Sequence, residues 1–240
     1  MKTFSYMTHR KAIAMIELIF AIVIMGLAVM SAPMLISQAK TGGLAVTQQE
    51  AIAACASEVS MIMTRAWDEA DTSMDNTNPI LQVDENIPAL NRQQNTGRRV
   101  GIPQHSSRTF IRSDGTDNLE ASEEIGNDGN DNGVFDDVDD WDNHVTNLTL
   151  ETQTDTETGD YIDESLRMAT AVGYIVSPAN YNQVPIRFDN PFNQANQTTN
   201  IKFISTTITS ANHDDVLATN IRLRAFVCNV GSYTLIPRAF

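Results

Sequence analysis

Apolar residues run from Ala12 to Ile36, AIAMIELIFAIVIMGLAVMSAPMLI, with Glu17 the one charge among them. Leu18 to Ile36 supplies 19 uncharged residues, the length at which a helix rising about 1.5 Å per residue covers a bilayer core. Core helices of soluble proteins are apolar along one stripe, whereas this run is apolar on every side, so a transmembrane span over about 13–36 is expected. Lys2, Arg10 and Lys11 precede it with no acid, which places the N-terminus in the cytoplasm and the rest of the chain across the membrane. Past Gly42-Gly43 the pattern becomes a stripe, with Ile52, Cys55, Val59, Ile62 or Met63 and Ala66 recurring every three or four residues. One long helix over 13–68 is predicted, its first half in lipid and its second half amphipathic. The stripe needs a cover, and a sheet from the C-terminal region is expected to provide it.

Residues 71–110 are polar, contain Pro79, Pro88 and Pro103, and read as irregular connections. Alternating or β-branched runs at 169–176, 201–210 and 220–230 predict strands, with a weaker one at 144–150. A helix followed by a small antiparallel sheet is an α+β fold, with residues 69–240 forming a globular head.

Thirty acidic residues against 16 Lys plus Arg give this 240-residue chain a formal charge of −14. Phosphate contacts need a basic surface, so no nucleic-acid partner is expected. The acids concentrate between Asp114 and Asp142, where 12 occur without a basic residue, in the acidic loop 114–142. Inside it, DGNDNGVFDDVD (128–139) places oxygen side chains at positions one, three, five, nine and twelve, with glycine at six. That is the spacing of an EF-hand-type loop, in which alternating side chains turn inward around a hard cation. Asp128, Asn130, Asn132, the Val134 carbonyl, Asp136 and Asp139 are therefore expected to bind one Ca²⁺, with Phe135 pinning the loop to the core. Asp139 stands where EF-hands carry a longer glutamate. The competing reading is a solvated acidic stretch, although carboxylates this dense repel unless a cation or open water separates them.

Cys55 and Cys228 are too few for a disulfide scaffold, and no CxxC is present. Outside the cytoplasm they have the option of pairing, which leaves a Cys55–Cys228 bridge and two free thiols as alternatives. Against the bridge, Cys228 falls out of phase with Ile221, Leu223, Ala225 and Val227, the expected core face of the last strand. His9, His105, His144 and His213 lack ligand spacing. No GxSxG, HExxH, P-loop or GxGxxG occurs, and no enzyme activity is expected.

Glu17 is the anomaly of the N-terminal run. A carboxylate at bilayer depth costs about 2.5–3.5 kcal/mol on insertion scales and needs a partner. No Lys, Arg or His lies within helical reach on its C-terminal side. An α-amino group made by cutting the chain just upstream would serve, presented by a neighbouring copy of the helix.

The stretch Ala12-Ile13-Ala14-Met15-Ile16-Glu17-Leu18, with the apolar run behind it, resembles the processing signal of type IV pilins and pseudopilins. The resemblance implies that residues 1–12 are a cytoplasmic leader and that prepilin peptidase cuts between Ala12 and Ile13. It also implies that the new N-terminus at Ile13 is methylated and that Glu17, fifth in the mature chain, is needed for assembly. Ala12 stands where the family usually has Gly, Ile13 where it usually has Phe, and Gly26 where it often has a helix-loosening glycine. The segments Phe135 to Trp141 (FDDVDDW) and Ala66-Trp67-Asp68-Glu69 are similar to parts of minor pilins of the mannose-sensitive haemagglutinin type. The family implies a minor pilin or pseudopilin, a structural subunit of a type IV pilus or a type II secretion pseudopilus. Its partners would be other subunits, prepilin peptidase and the inner-membrane assembly platform. It would sit in the inner membrane with its head in the periplasm, and then in the filament. Two other readings compete. One is a single-pass membrane-anchored, calcium-dependent adhesion or binding module that does not polymerise. The other is a secretory signal cut after Ser37-Gln38-Ala39, for which the apolar run is too long.

Overall fold

The structure is a computed structural model that describes residues 9–72, 78–112, 115, 119–127, 133–150, 164–177, 179–181, 184–186, 192–210 and 220–233. A helix, α1 (His9–Ile62), is followed by single-turn 3₁₀ segments at Glu69–Asp71 and Asp139–Trp141. Four strands come next: β1 (Val145–Leu150), β2 (Glu164–Tyr174), β3 (Ile201–Ser210) and β4 (Ile221–Cys228). The strands form one antiparallel sheet in the order β1-β2-β3-β4, giving the α+β layout expected. Two compact units divide the chain, Met1–Glu50 and Ala51–Phe240.

Within the first unit α1 runs unbroken through Pro33 and Gly42-Gly43. Its large apolar side chains from Met15 to Ile36 are 52–78% exposed, the reverse of a core helix. Among the described residues this is the one helix long and apolar enough to cross a membrane, and none of its most apolar stretch is buried.

In the second unit the last turns of α1 lay Ala51, Cys55, Val59 and Ile62 on the sheet. The stripe starts at Ala51, whereas Ile52 is half-exposed; next to a sheet the smaller side chain lets the helix approach. The helix also stops at Ile62, short of the expected residue 68. Amides of Thr64 and Arg65 reach back only three residues, to Met61 and Ile62, and the Thr64 hydroxyl caps the Met61 carbonyl (2.6 Å). Ala66 then leaves the helical path to bridge Asp137.

All four predicted strands form. β2 starts five residues earlier than expected, at Glu164, which brings Leu166 and Met168 into the core against Cys55 and Ile208. A second cluster joins Val59, Ile62, Val138, Trp141, Val172 and Ile204, and a third joins Trp67, Leu81, Ala121 and Tyr174. β4 alternates as its pattern requires, with Ile221, Leu223, Ala225 and Val227 inward and Arg222, Arg224, Phe226 and Cys228 outward.

The Cys55–Cys228 bridge does not form: both thiols are free, Cys55 buried and Cys228 exposed. Cys55 packs at the Ile208 end of β3, while Cys228 pairs with Ile201 at the other end. The seven steps of strand between those positions span about 23 Å, far beyond the reach of a disulfide.

Candidate functional site

The chain turning out of α1 meets the acidic segment in a short parallel ladder. The Ala66 amide donates to the Asp136 carbonyl (3.4 Å), and the Val138 amide donates to the Ala66 carbonyl (3.0 Å). Ala66 to Glu69 and Phe135 to Trp141, separate in sequence, thus lie side by side. Phe135 does pin its segment, its ring 5.0 Å from Trp141 and 4.9 Å from His144.

Lys202 enters this junction from β3. It points inward in step with Ile204, Thr206 and Ile208, and its side chain is fully buried. Its Nζ donates to the Trp67 carbonyl (2.9 Å), Asp68 Oδ2 (2.9 Å) and Asp139 Oδ2 (2.6 Å). The rings of Trp67 and Tyr174 lie 4.2 Å and 5.0 Å from the ammonium. Asp68 has other donors as well, the Ala70 amide (3.2 Å) and the Ser122 amide (3.0 Å), while the nearby Tyr174 hydroxyl donates to the Ser122 carbonyl (2.6 Å). Lys202 and Asp68 together thereby tie the helix exit, the 119–125 segment, the acidic segment and two strands together.

Carboxylates outnumber the cation. Asp68, Asp71, Asp137, Asp139 and Asp140 are all buried. Backbone amides answer part of the charge, those of Asp139 (2.7 Å) and Asp140 (3.1 Å) donating to Asp137 Oδ1, and those of Asp136 (2.9 Å) and Asp137 (3.2 Å) donating to Asp140 Oδ2. The remainder shifts proton affinities. Burial, reinforced by Asp68, pushes the Asp71 carboxyl up to about 7. Burial raises Asp137 to about 6, against the Asp140 amide and Lys202, and raises Asp139 to about 8 despite Lys202.

Comparison with protein-family models, with curated proteins and with solved structures finds no match.

The predicted Ca²⁺ ligands fare unequally. Asp128, Asn130 and Asn132 lie outside the described residues. Gly133 has φ +76°, the left-handed backbone that position six of such a loop requires, and Val134 is exposed. Asp136 keeps a buried Oδ1 with no hydrogen-bond partner among the described residues. Asp139, expected to close the loop on a cation, is instead bound to the chain's own Lys202. Among the described residues no group of three or more His, Cys, Asp or Glu is arranged to hold a metal. Of the processing and assembly residues, Ala12 and Ile13 are helical in α1, and Glu17 is exposed on it.

Sequence reasoning passed over Lys202, Asp68 and Glu58. Glu58 is buried on the sheet-facing side of α1 and accepts from the Thr170 hydroxyl at 2.5 Å. The signal for Lys202 lay in the alternation of IKFISTTITS, whose inward positions include the lysine.

Proposed function

We propose that this chain is a type IV pilin-like structural subunit, a minor pilin or pseudopilin, that assembles through its N-terminal helix. The observation that carries the reading is a helix apolar on every face, exposed along its apolar length, with Glu17 its one acid before the amphipathic part. Such a surface must be covered by lipid or by other helices. In the proposal prepilin peptidase removes residues 1–12, the Ile13 amine pairs with Glu17 of a neighbour, and the pair enters the apolar filament core without a net charge. The acidic head stays at the periplasmic and then the filament surface. Loss of the leader removes three positive charges, lowering the net charge from −14 to −17. The resemblance of FDDVDDW and of Ala66 to Glu69 to parts of minor pilins, with the length of the chain, supports a minor over a repeating major subunit.

Substitution Glu17→Ala tests the assembly step. The variant is expected to insert in the membrane at the wild-type level and to be lost from sheared filaments. Wild-type recovery in filaments would overturn the role of Glu17. Membrane retention of the wild-type chain with no filament fraction would favour the anchored, non-polymerising module.

A further inference from the structure

Lys202 and its two carboxylate neighbours hold a geometry that exceeds the needs of an ion pair. The amine nitrogen is fully buried, touches both Asp68 and Asp139, and is flanked by two aromatic rings that exclude water. The two carboxyls differ in their hydrogen bonds. Asp68 accepts from two backbone amides besides the lysine, while the Tyr174 hydroxyl gives its one proton to the Ser122 carbonyl (2.6 Å). Asp139 receives only Lys202 on Oδ2, and its buried Oδ1 has no hydrogen-bond partner among the described residues. That oxygen suits a neutral acid. Asp139 also lines a cleft of about 10 Å³ with Asp137, Asp140 and Ser122, the room one water needs.

The geometry points to an intramolecular amide bond that the head forms between Lys202 Nζ and the Asp139 side-chain carbonyl carbon, with Asp68 as proton carrier. In this step Asp68 takes one proton from the ammonium, and the freed lone pair forms the N–C bond to the neutral Asp139 carboxyl. Asp68 passes that proton to the departing hydroxyl and takes a second from the new N–C nitrogen. The C–O bond breaks, one water leaves, and Asp68 ends protonated. No oxidant, reductant or activated co-reactant is consumed. Fixed contact replaces the high concentration that an amine and an acid would need in solution. Dehydration is favoured because it exchanges two buried charged groups for a neutral amide. A bond between residues 139 and 202 would close a loop that contains β1 and β2, stapling the end of the acidic segment to the start of β3. The chemistry does not depend on the filament reading.

Peptide mapping of the purified full chain tests it. Digestion with trypsin under denaturing conditions is expected to give residues 113–167 joined to 188–222, uncut after Lys202, at the summed mass less one water. Intact mass alone is insufficient, because Asp114-Gly115 and Asp128-Gly129 also lose water by succinimide formation. Quantitative cleavage after Lys202, yielding separate 188–202 and 203–222 peptides, would overturn the proposal, as would a link on Asp68. Lys202→Arg, which keeps a cation but offers no comparable nucleophile, is expected to abolish the joined species. Asp68→Asn is expected to lower the linked fraction more than tenfold while near-ultraviolet circular dichroism still reports a folded head. Full linkage in a folded Asp68→Asn protein would refute the proton-carrier role.

Discussion

At the scale of single residues, the two cysteines separate cleanly by environment. Burial, with Glu58 adding a smaller effect, pushes the Cys55 thiol up to about 11, and the side chain is inaccessible behind Ala51 and Met168. Burial raises the Cys228 thiol too, against Arg99, so access decides between them: Cys55 is shielded in the folded chain and exposed Cys228 is open to reagent. Iodoacetamide treatment of the native protein is expected to label Cys228 alone, and both after denaturation. Native labelling of Cys55, or protection of both until a reductant is added, would contradict the assignment. The phase of Cys228 was readable beforehand from Ile221, Leu223, Ala225 and Val227. Its distance from Cys55 was not, because that depends on which end of β3 each residue meets.

At the scale of elements, strands were legible and the helix end was not. A strand with one buried face writes its period directly into sequence, as IRLRAFVC does. The end of α1 depends instead on Ala66 finding Asp137, a partner 71 residues later that no local pattern announces. Ile52 fits the stripe by its hydrophobicity, yet Ala51 faces the sheet and Ile52 half faces solvent. These placements predict unequal costs. Ile62→Ala should destabilise the head by about 2–5 kcal/mol, since it opens a cavity among Val138, Trp141 and Ile204. Ile52→Ala should cost about 0.5 kcal/mol or less. Urea unfolding of the full chain in detergent, followed by the fluorescence of Trp67 and Trp141, measures both. Equal losses would refute the helix phase. For one expected ligand of the calcium loop, spacing along 128–139 could not reveal that Asp139 meets Lys202, 63 residues further on.

At the scale of the whole molecule, the buried acidic cluster sets how stability depends on pH. Asp71 and Asp137 have proton affinities raised from about 3.8 to about 7 and about 6, so between those limits the folded chain holds protons that the unfolded chain has released. Stability therefore falls as pH rises from about 4 to about 7, by up to about 1.4 kcal/mol per pH unit for each group, Asp137 contributing only to about 6. The groups around them are Lys202, Asp68, Asp139, Asp140, Tyr174 and Arg112, and Lys202 moderates the effect without reversing it. The Tm of the full chain in detergent should be about 5 °C or more lower at pH 8 than at pH 5. A higher Tm at pH 8 would contradict this picture. The functional account rests on a different charge, the carboxylate of Glu17 on an otherwise apolar surface, and on the amine that processing would create for it. N-terminal sequencing of the chain recovered from membranes and from sheared filaments measures that amine directly. The account predicts a first residue of Ile13, N-methylated; a chain still beginning at Met1, or one beginning at Lys40, would contradict it.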